Sequence, residues 1–167
     1  QADPATTHSS PAGSWGIPRD LGVSPVCPAS PHIFDYSDLI GKPFANHGRG
    51  PESYDCYGVA IEAFRRCGIE LPEFWISCRD ESTIEKTILA EKKSGRWIRL
   101  TKPQVPCLIV FKFNSKEDKL NHVGTYVGFG EFLHTSEGSG VHVGRINHPY
   151  YRNVIEGYYI PAGCEVK

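Results

Sequence analysis

Asn121-His-Val-Gly-Thr-Tyr-Val-Gly-Phe-Gly-Glu-Phe-Leu-His-Thr-Ser136 is the stretch on which the fold turns. On either side of Gly128-Phe129-Gly130 the residues alternate with a period of two, the pattern of two strands joined as a hairpin. Parity then decides whether His122 and His134 can meet. A two-residue loop pairs positions whose numbers sum to an odd value and sends the two rings to opposite faces. A three-residue loop pairs Val127 with Glu131 and therefore Gly124 with His134, so both histidines share a face as diagonal neighbours. Glycines flanking Phe129 suit a three-residue loop with a bulge. The same register puts Val123, Thr125 and Val127, with Leu133 and Thr135, on the other face as core.

Working outward, Cys107–Phe113, Val141–Ile146 and Val154–Ile160 also read as strands, with Gly or Pro at most of the joints. Before them the period is helical. Asp35-Tyr-Ser-Asp-Leu-Ile40 reads as a short helix stopped by Gly41. The clearest helix runs from about Asp55 to Cys67, with Cys56, Ala60, Phe64 and Cys67 on one stripe. Asp55 is placed to cap it and Gly68 to end it. A second helix is predicted over residues 82–93. Helices followed by a meander of strands define an α+β fold, with N-terminal helices packed on an antiparallel sheet of about five strands. The connections are too short for parallel crossovers.

Residues 1–31 carry six prolines among Ser, Thr, Ala and Gly and read as an N-terminal arm, with Trp15, Ile17, Leu21 and Val23 as possible anchors. Residues 32–167 form the domain. The chain starts at Gln1 and contains no Met, so it reads as a processed or trimmed product in which no signal peptide is visible. Eighteen Lys+Arg against 19 Asp+Glu give a net charge of −1, which excludes gripping nucleic acid or an anionic membrane by bulk charge. The longest clean apolar run, Cys107–Phe111, is far short of the ~20 residues of a membrane span.

Six cysteines without a C-x-x-C spacing argue against structural zinc, and no metal or organic cofactor is indicated. Cys56 differs from the other five because it opens a helix. There, unpaired N–H groups and the helix dipole favour a thiolate, the form a nucleophile needs. Cys67 lies on the same stripe but eleven residues along the helix, ~16 Å away, too far for a bridge. Cys67 and Cys107 read as packing. Cys27, Cys78 and Cys164 fall in irregular segments and are free to pair under oxidising conditions. A thiolate also needs a base, and the base an orienting partner. His122 and His134 are the pair the hairpin offers, with His142 a spare on the same face.

These blocks resemble a known family. Ser53-Tyr-Asp-Cys-Tyr-Gly-Val59, running on through Gly68-Ile-Glu-Leu-Pro72, is similar to the nucleophile helix of the NlpC/P60 cysteine peptidases. Asn121-His-Val-Gly-Thr-Tyr-Val-Gly128 resembles the family's H-V-G-I-Y-[IL]-G strand, and Phe132-Leu-His-Thr-Ser136 its F-[IL]-H-[AT]-S strand. The likeness covers roughly residues 33–162. It implies a papain-like fold and hydrolysis of peptide bonds in peptidoglycan stem peptides, commonly between D-γ-glutamyl and a diamino acid. Carried over, Cys56 is the nucleophile, His122 the base and His134 the residue that orients it, with a thioester intermediate.

Several positions depart from the family's habit. Tyr57 stands where many members have Ser, Phe44 where a substrate-contacting Tyr is common, and Pro106-Cys107 where Gly-Asp often opens the first strand. The aromatic after Cys56 looks more like the peptidase domains of phage tails. The resemblance therefore implies a secreted, periplasmic or cell-wall location, or a phage virion tail, with the arm as a link to such an assembly. Two alternatives stay open: a related amidase or acyltransferase, favoured by a dry apolar cleft, and an inert structural piece. Cys56 is expected to alkylate near neutral pH far faster than the other cysteines.

Overall fold

The computed structural model describes residues 34–113 and 117–165. The arm over residues 1–31, with its anchors and Cys27, lies outside them. The predicted helix at residues 35–40 is a single 3-10 turn, Ser37–Leu39, whose Leu39 is buried.

Helix α1 (Cys56–Arg66) forms where the apolar stripe predicts it. The Asp55 carboxylate accepts from the Gly58 N–H at 2.6 Å and caps its start. At its end Gly68, in the left-handed region at φ +75°, lets the chain reverse. Its N–H donates to the Arg65 carbonyl at 2.9 Å and that of Ile69 to the Phe64 carbonyl at 3.0 Å, which satisfies two otherwise open carbonyls. Val59, Ala60, Ala63 and Phe64 are buried, while Glu62 on the outer face pairs with Arg65 and Arg66. Helix α2 (Glu81–Lys93), capped by Asp80, buries none of its residues fully.

Six strands form one antiparallel sheet: β1 (Trp97–Leu100), β2 (Cys107–Phe111), β3 (His122–Gly128), β4 (Glu131–His134), β5 (His142–Arg145) and β6 (Ile155–Pro161). Their spatial order is β1-β6-β2-β3-β4-β5. The expected meander holds for β2 to β5, but the last strand crosses back to lie between β1 and β2. Strand β1 escaped the sequence reading because it is an edge of four residues of which only Trp97 is buried. A short helix α3 (Pro149–Val154) was also missed; it starts on His148, whose ring accepts from the Tyr150 N–H, with Pro149 at its first position.

The hairpin has the expected register with a different tip. Thr125 pairs with Leu133 and Tyr126 with Phe132, but Gly128 pairs with Glu131, and the register shifts between Tyr126 and Gly128. The turn is thus two residues, Phe129 and Gly130, both at positive φ (+52° and +77°), and the extra residue is a bulge at Val127. The bulge restores the parity of a three-residue loop, so both histidines still share a face. On the opposite face Val123, Val127 and Leu133 are buried beneath α1. On the histidine face Ile109, Phe111 and Phe132 form a second core, covered by Phe113 and by Tyr151 and Val154 of α3. With both faces covered, β2 is buried along its whole length, which explains its unbroken apolar run. Among the described residues no helix is long and apolar enough to cross a membrane.

Candidate active site

Cys56 is the first residue of α1, and the loop before it is fastened by Arg49. The Arg49 guanidinium pairs with Asp55 at 2.6 Å and Glu73 at 3.1 Å, donates to the Phe74 carbonyl at 2.9 Å, and lies over the Trp75 ring at 5.2 Å. The Gly48 carbonyl passes so close to α1 that a Cβ on Gly58 would stand 2.0 Å from it. Glycine is required there to let the Arg49 loop lie against the helix start. Tyr57 extends the same clamp: its hydroxyl donates to the Pro72 carbonyl at 2.7 Å and its ring tilts against Phe74 at 5.4 Å.

The Cys56 thiol is half-buried and touches two groups that pull its proton affinity in opposite directions. It hydrogen-bonds the Cys78 sulfur, which, together with burial and the nearby Asp55 carboxylate, holds it well above an ordinary thiol. The Val123 backbone N–H, one residue from His122, acts the other way. Cys78 is pushed down, first by the hydrogen bond from Cys56, then by the His47 backbone N–H and the Arg49 charge, against burial and Asp55. Burial lifts Cys67 to about 11 and Cys107 to about 12, in keeping with packing roles. The helix start alone therefore does not leave Cys56 a thiolate; the more acidic sulfur of the pair is Cys78.

Across the cleft the histidines meet as the register requires. His122 Nε2 and His134 Nδ1 are 3.2 Å apart, and His134 Nε2 lies 3.2 Å from the Tyr151 hydroxyl. For His122 to present a basic Nδ1, its proton must sit on Nε2 and be donated to His134 Nδ1. His134 then carries its proton on Nε2 and donates it to the Tyr151 oxygen. Rings of Phe111, Phe113 and Phe132 pack around the pair, with Phe113 4.7 Å from His122 and Phe132 4.9 Å from His134. Burial in this setting pushes His122 down to about 3 and His134 to about 2, with smaller contributions from neighbouring histidines. Both are neutral at pH 7. His142 packs its ring 4.1 Å from that of His134 and bonds the Gly140 carbonyl through Nδ1.

Cys56, Cys78 and His122 line one cavity of about 110 Å³. Its remaining wall is mostly apolar, including Phe74, Ile76, Ile88, Leu108 and Val110, with Arg49, Glu91 and Lys92 also contributing. Phe44 is not part of this lining; its backbone bridges to Tyr54 instead. Among the described residues no group of three or more His, Cys, Asp or Glu could hold a metal ion. Cys164 is disulfide-bonded, whereas Cys78 is free.

A helix that opens on Cys56 and an antiparallel sheet that carries the paired histidines, with Cys56 and His122 lining one cavity, define a small α+β domain. The family model described as "NlpC/P60 family" matches residues 41–158, and the chain belongs to that family. It is 29% identical over 118 residues to the "Murein DD-endopeptidase MepS/Murein LD-carboxypeptidase" of Escherichia coli (strain K12), covering 70% of this chain and 54% of that protein. The "Probable endopeptidase NlpC homolog" of Haemophilus influenzae is 29% identical over 117 residues, with 70% and 54% covered. The chain thus spans about half the length of these curated relatives. A crystal structure of an NlpC/P60 family protein from Bacillus cereus ATCC 10987 superposes with a TM-score of 0.50 at 23% identity, over 73% of this chain and 38% of that one.

The sequence pointed to Cys56, His122 and His134, and the structure joins the two histidines directly and sets Cys56 in the cavity that His122 lines. Tyr151 and Cys78 were missed as site residues. Tyr151 sits on the unpredicted α3, 17 positions beyond its partner. Cys78 lies in an irregular segment, where the sequence offers it only as a pairing candidate.

Proposed function

We propose that this chain is a cysteine peptidase of bacterial cell walls that cleaves peptidoglycan stem peptides through a thioester. The observation that carries the reading is the His122–His134–Tyr151 relay, aimed at the cavity where Cys56 opens α1. Neutral His122 takes the Cys56 proton as the sulfur attacks the scissile carbonyl. Backbone N–H groups at the start of α1 stabilise the resulting oxyanion. The protonated His122 is steadied by His134, hands its proton to the leaving amine, and then draws one from the water that hydrolyses the thioester. The D-γ-glutamyl–diamino acid bond is the preferred target on the family resemblance, and the Escherichia coli relative named as a murein endopeptidase supports a wall substrate. Such a substrate places the protein in the envelope or cell wall. The relatives named above lend no support to a phage-tail setting.

The apolar wall beside Cys56 favours a second reading, an amidase or acyltransferase whose substrate seats an aliphatic group there. Both are tested by digesting purified diaminopimelate-type and lysine-type peptidoglycan and reading soluble fragments by mass spectrometry, with a long-chain N-acyl amide in parallel. Stem-peptide fragments that vanish in Cys56→Ala are expected. Turnover of the acyl amide alone would establish the second reading.

A further inference from the structure

We propose that Cys56 and Cys78 form a reversible disulfide, making the pair an oxidation-sensitive site that switches the nucleophile off. The effect on activity rests on the peptidase reading above; formation of the bond does not.

Both thiols line the same cavity, and each is the other's principal electrostatic neighbour. Both are free and half-buried, so a small oxidant can reach them, whereas Cys67 and Cys107 are buried in packing positions. Cys78 is held in place by Asn46, whose side-chain carbonyl accepts the Cys78 N–H at 2.7 Å and whose amide donates to the Ser77 hydroxyl at 3.2 Å. Its sulfur receives the His47 N–H and feels the Arg49 charge, the setting that makes a thiol the readier nucleophile. The disulfide at Cys164 fits a chain that meets oxidising surroundings.

Hydrogen peroxide supplies the oxidising equivalents. The Cys78 thiolate attacks one peroxide oxygen; an S–O bond forms, the O–O bond breaks, and the departing hydroxide takes up a proton to become water. The Cys56 sulfur then attacks the Cys78 sulfenic sulfur. The S–S bond forms as the S–O bond breaks, and the second hydroxide leaves as water with the Cys56 proton. Two thiols lose two electrons in all, and one peroxide becomes two waters. A dithiol reverses the reaction by exchange.

The test treats the reduced chain with hydrogen peroxide, blocks remaining thiols with N-ethylmaleimide and maps cross-links by tandem mass spectrometry. With the blocking done in urea, a Cys56–Cys78 cross-link is expected, with the otherwise buried Cys67 and Cys107 fully alkylated. Stem-peptide release should fall at least tenfold on oxidation and return with dithiothreitol. In Cys78→Ser the cross-link is absent and dithiothreitol no longer restores what peroxide removes. Full alkylation of both cysteines after peroxide, a link from Cys56 to a different cysteine, or equal rescue of Cys78→Ser would overturn the proposal. A cross-link in a protein that releases no stem peptide even when reduced would leave the disulfide standing and sink the peptidase reading.

Discussion

Around Cys56 the polar groups are ionic and wired to one another, Arg49 to Asp55 at 2.6 Å and the Cys56 thiol to that of Cys78. Around His122 they are neutral and walled by the rings of Phe111, Phe113 and Phe132. The two sides arrive at one state by different physics. Burial strips the proton from the imidazoles, while a neighbouring sulfur, burial and a carboxylate keep the proton on Cys56. On the proposed mechanism the resting cleft would hold a thiol and a neutral base, with charge separated only when a substrate carbonyl accepts the sulfur's electrons.

Removing either side should have the largest effect. Cys56→Ala or His122→Ala is expected to reduce stem-peptide release about 10⁴-fold or more, because the proposed nucleophile and base would act as one unit. Retention of activity within tenfold would break the assignment. Gly58→Ala attacks the scaffold instead. Its methyl group would overlap the Gly48 carbonyl at 2.0 Å, so either the Arg49 loop or the start of α1 must move. A loss of about 2–4 kcal/mol in urea unfolding is expected, in the range of severe overpacking. An unchanged midpoint would show that the loop is less closely seated than the structure has it.

The smaller effects separate burial from wiring. Tyr151→Phe removes only the acceptor for His134 Nε2–H, and kcat should fall about 3–10-fold with KM little changed, the worth of one hydrogen bond. Depressed histidines bind fewer protons in the folded state than in the unfolded one. Their contribution to stability is full above pH 6.5 and is lost as pH falls from there towards about 3. Urea midpoints should decline over that window in the wild type and less steeply in His122→Gln. A parallel decline in the two would contradict a buried neutral His122.

Much of this was legible because it depends on local pattern. The α1 stripe, its Asp55 cap and Gly68 terminator are all written within fourteen consecutive residues. The hairpin register followed from parity, although the Val127 bulge traded places with the loop residue that parity required. The path of β6 between β1 and β2 was not legible, since β1 is a short, exposed edge with no alternating pattern to announce it. Nor was Tyr151 as a site residue, whose hydroxyl reaches His134 only because α3 lies across the histidine face. Cys78 illustrates the same limit: its meaning comes from a sulfur 22 positions earlier that the chain path brings alongside it.

The most direct test is the order in which the thiols alkylate. Iodoacetamide rates at Cys56 and Cys78 would be followed by peptide mass spectrometry from pH 5 to pH 10 on the reduced wild type and on Cys78→Ser. Cys78 is expected to react first at neutral pH, and Cys56 to speed up once its sulfur neighbour is gone. A Cys56 that reacts first in the wild type, with a rate already level below pH 7, would mean a resting thiolate–imidazolium pair and contradict the neutral cleft.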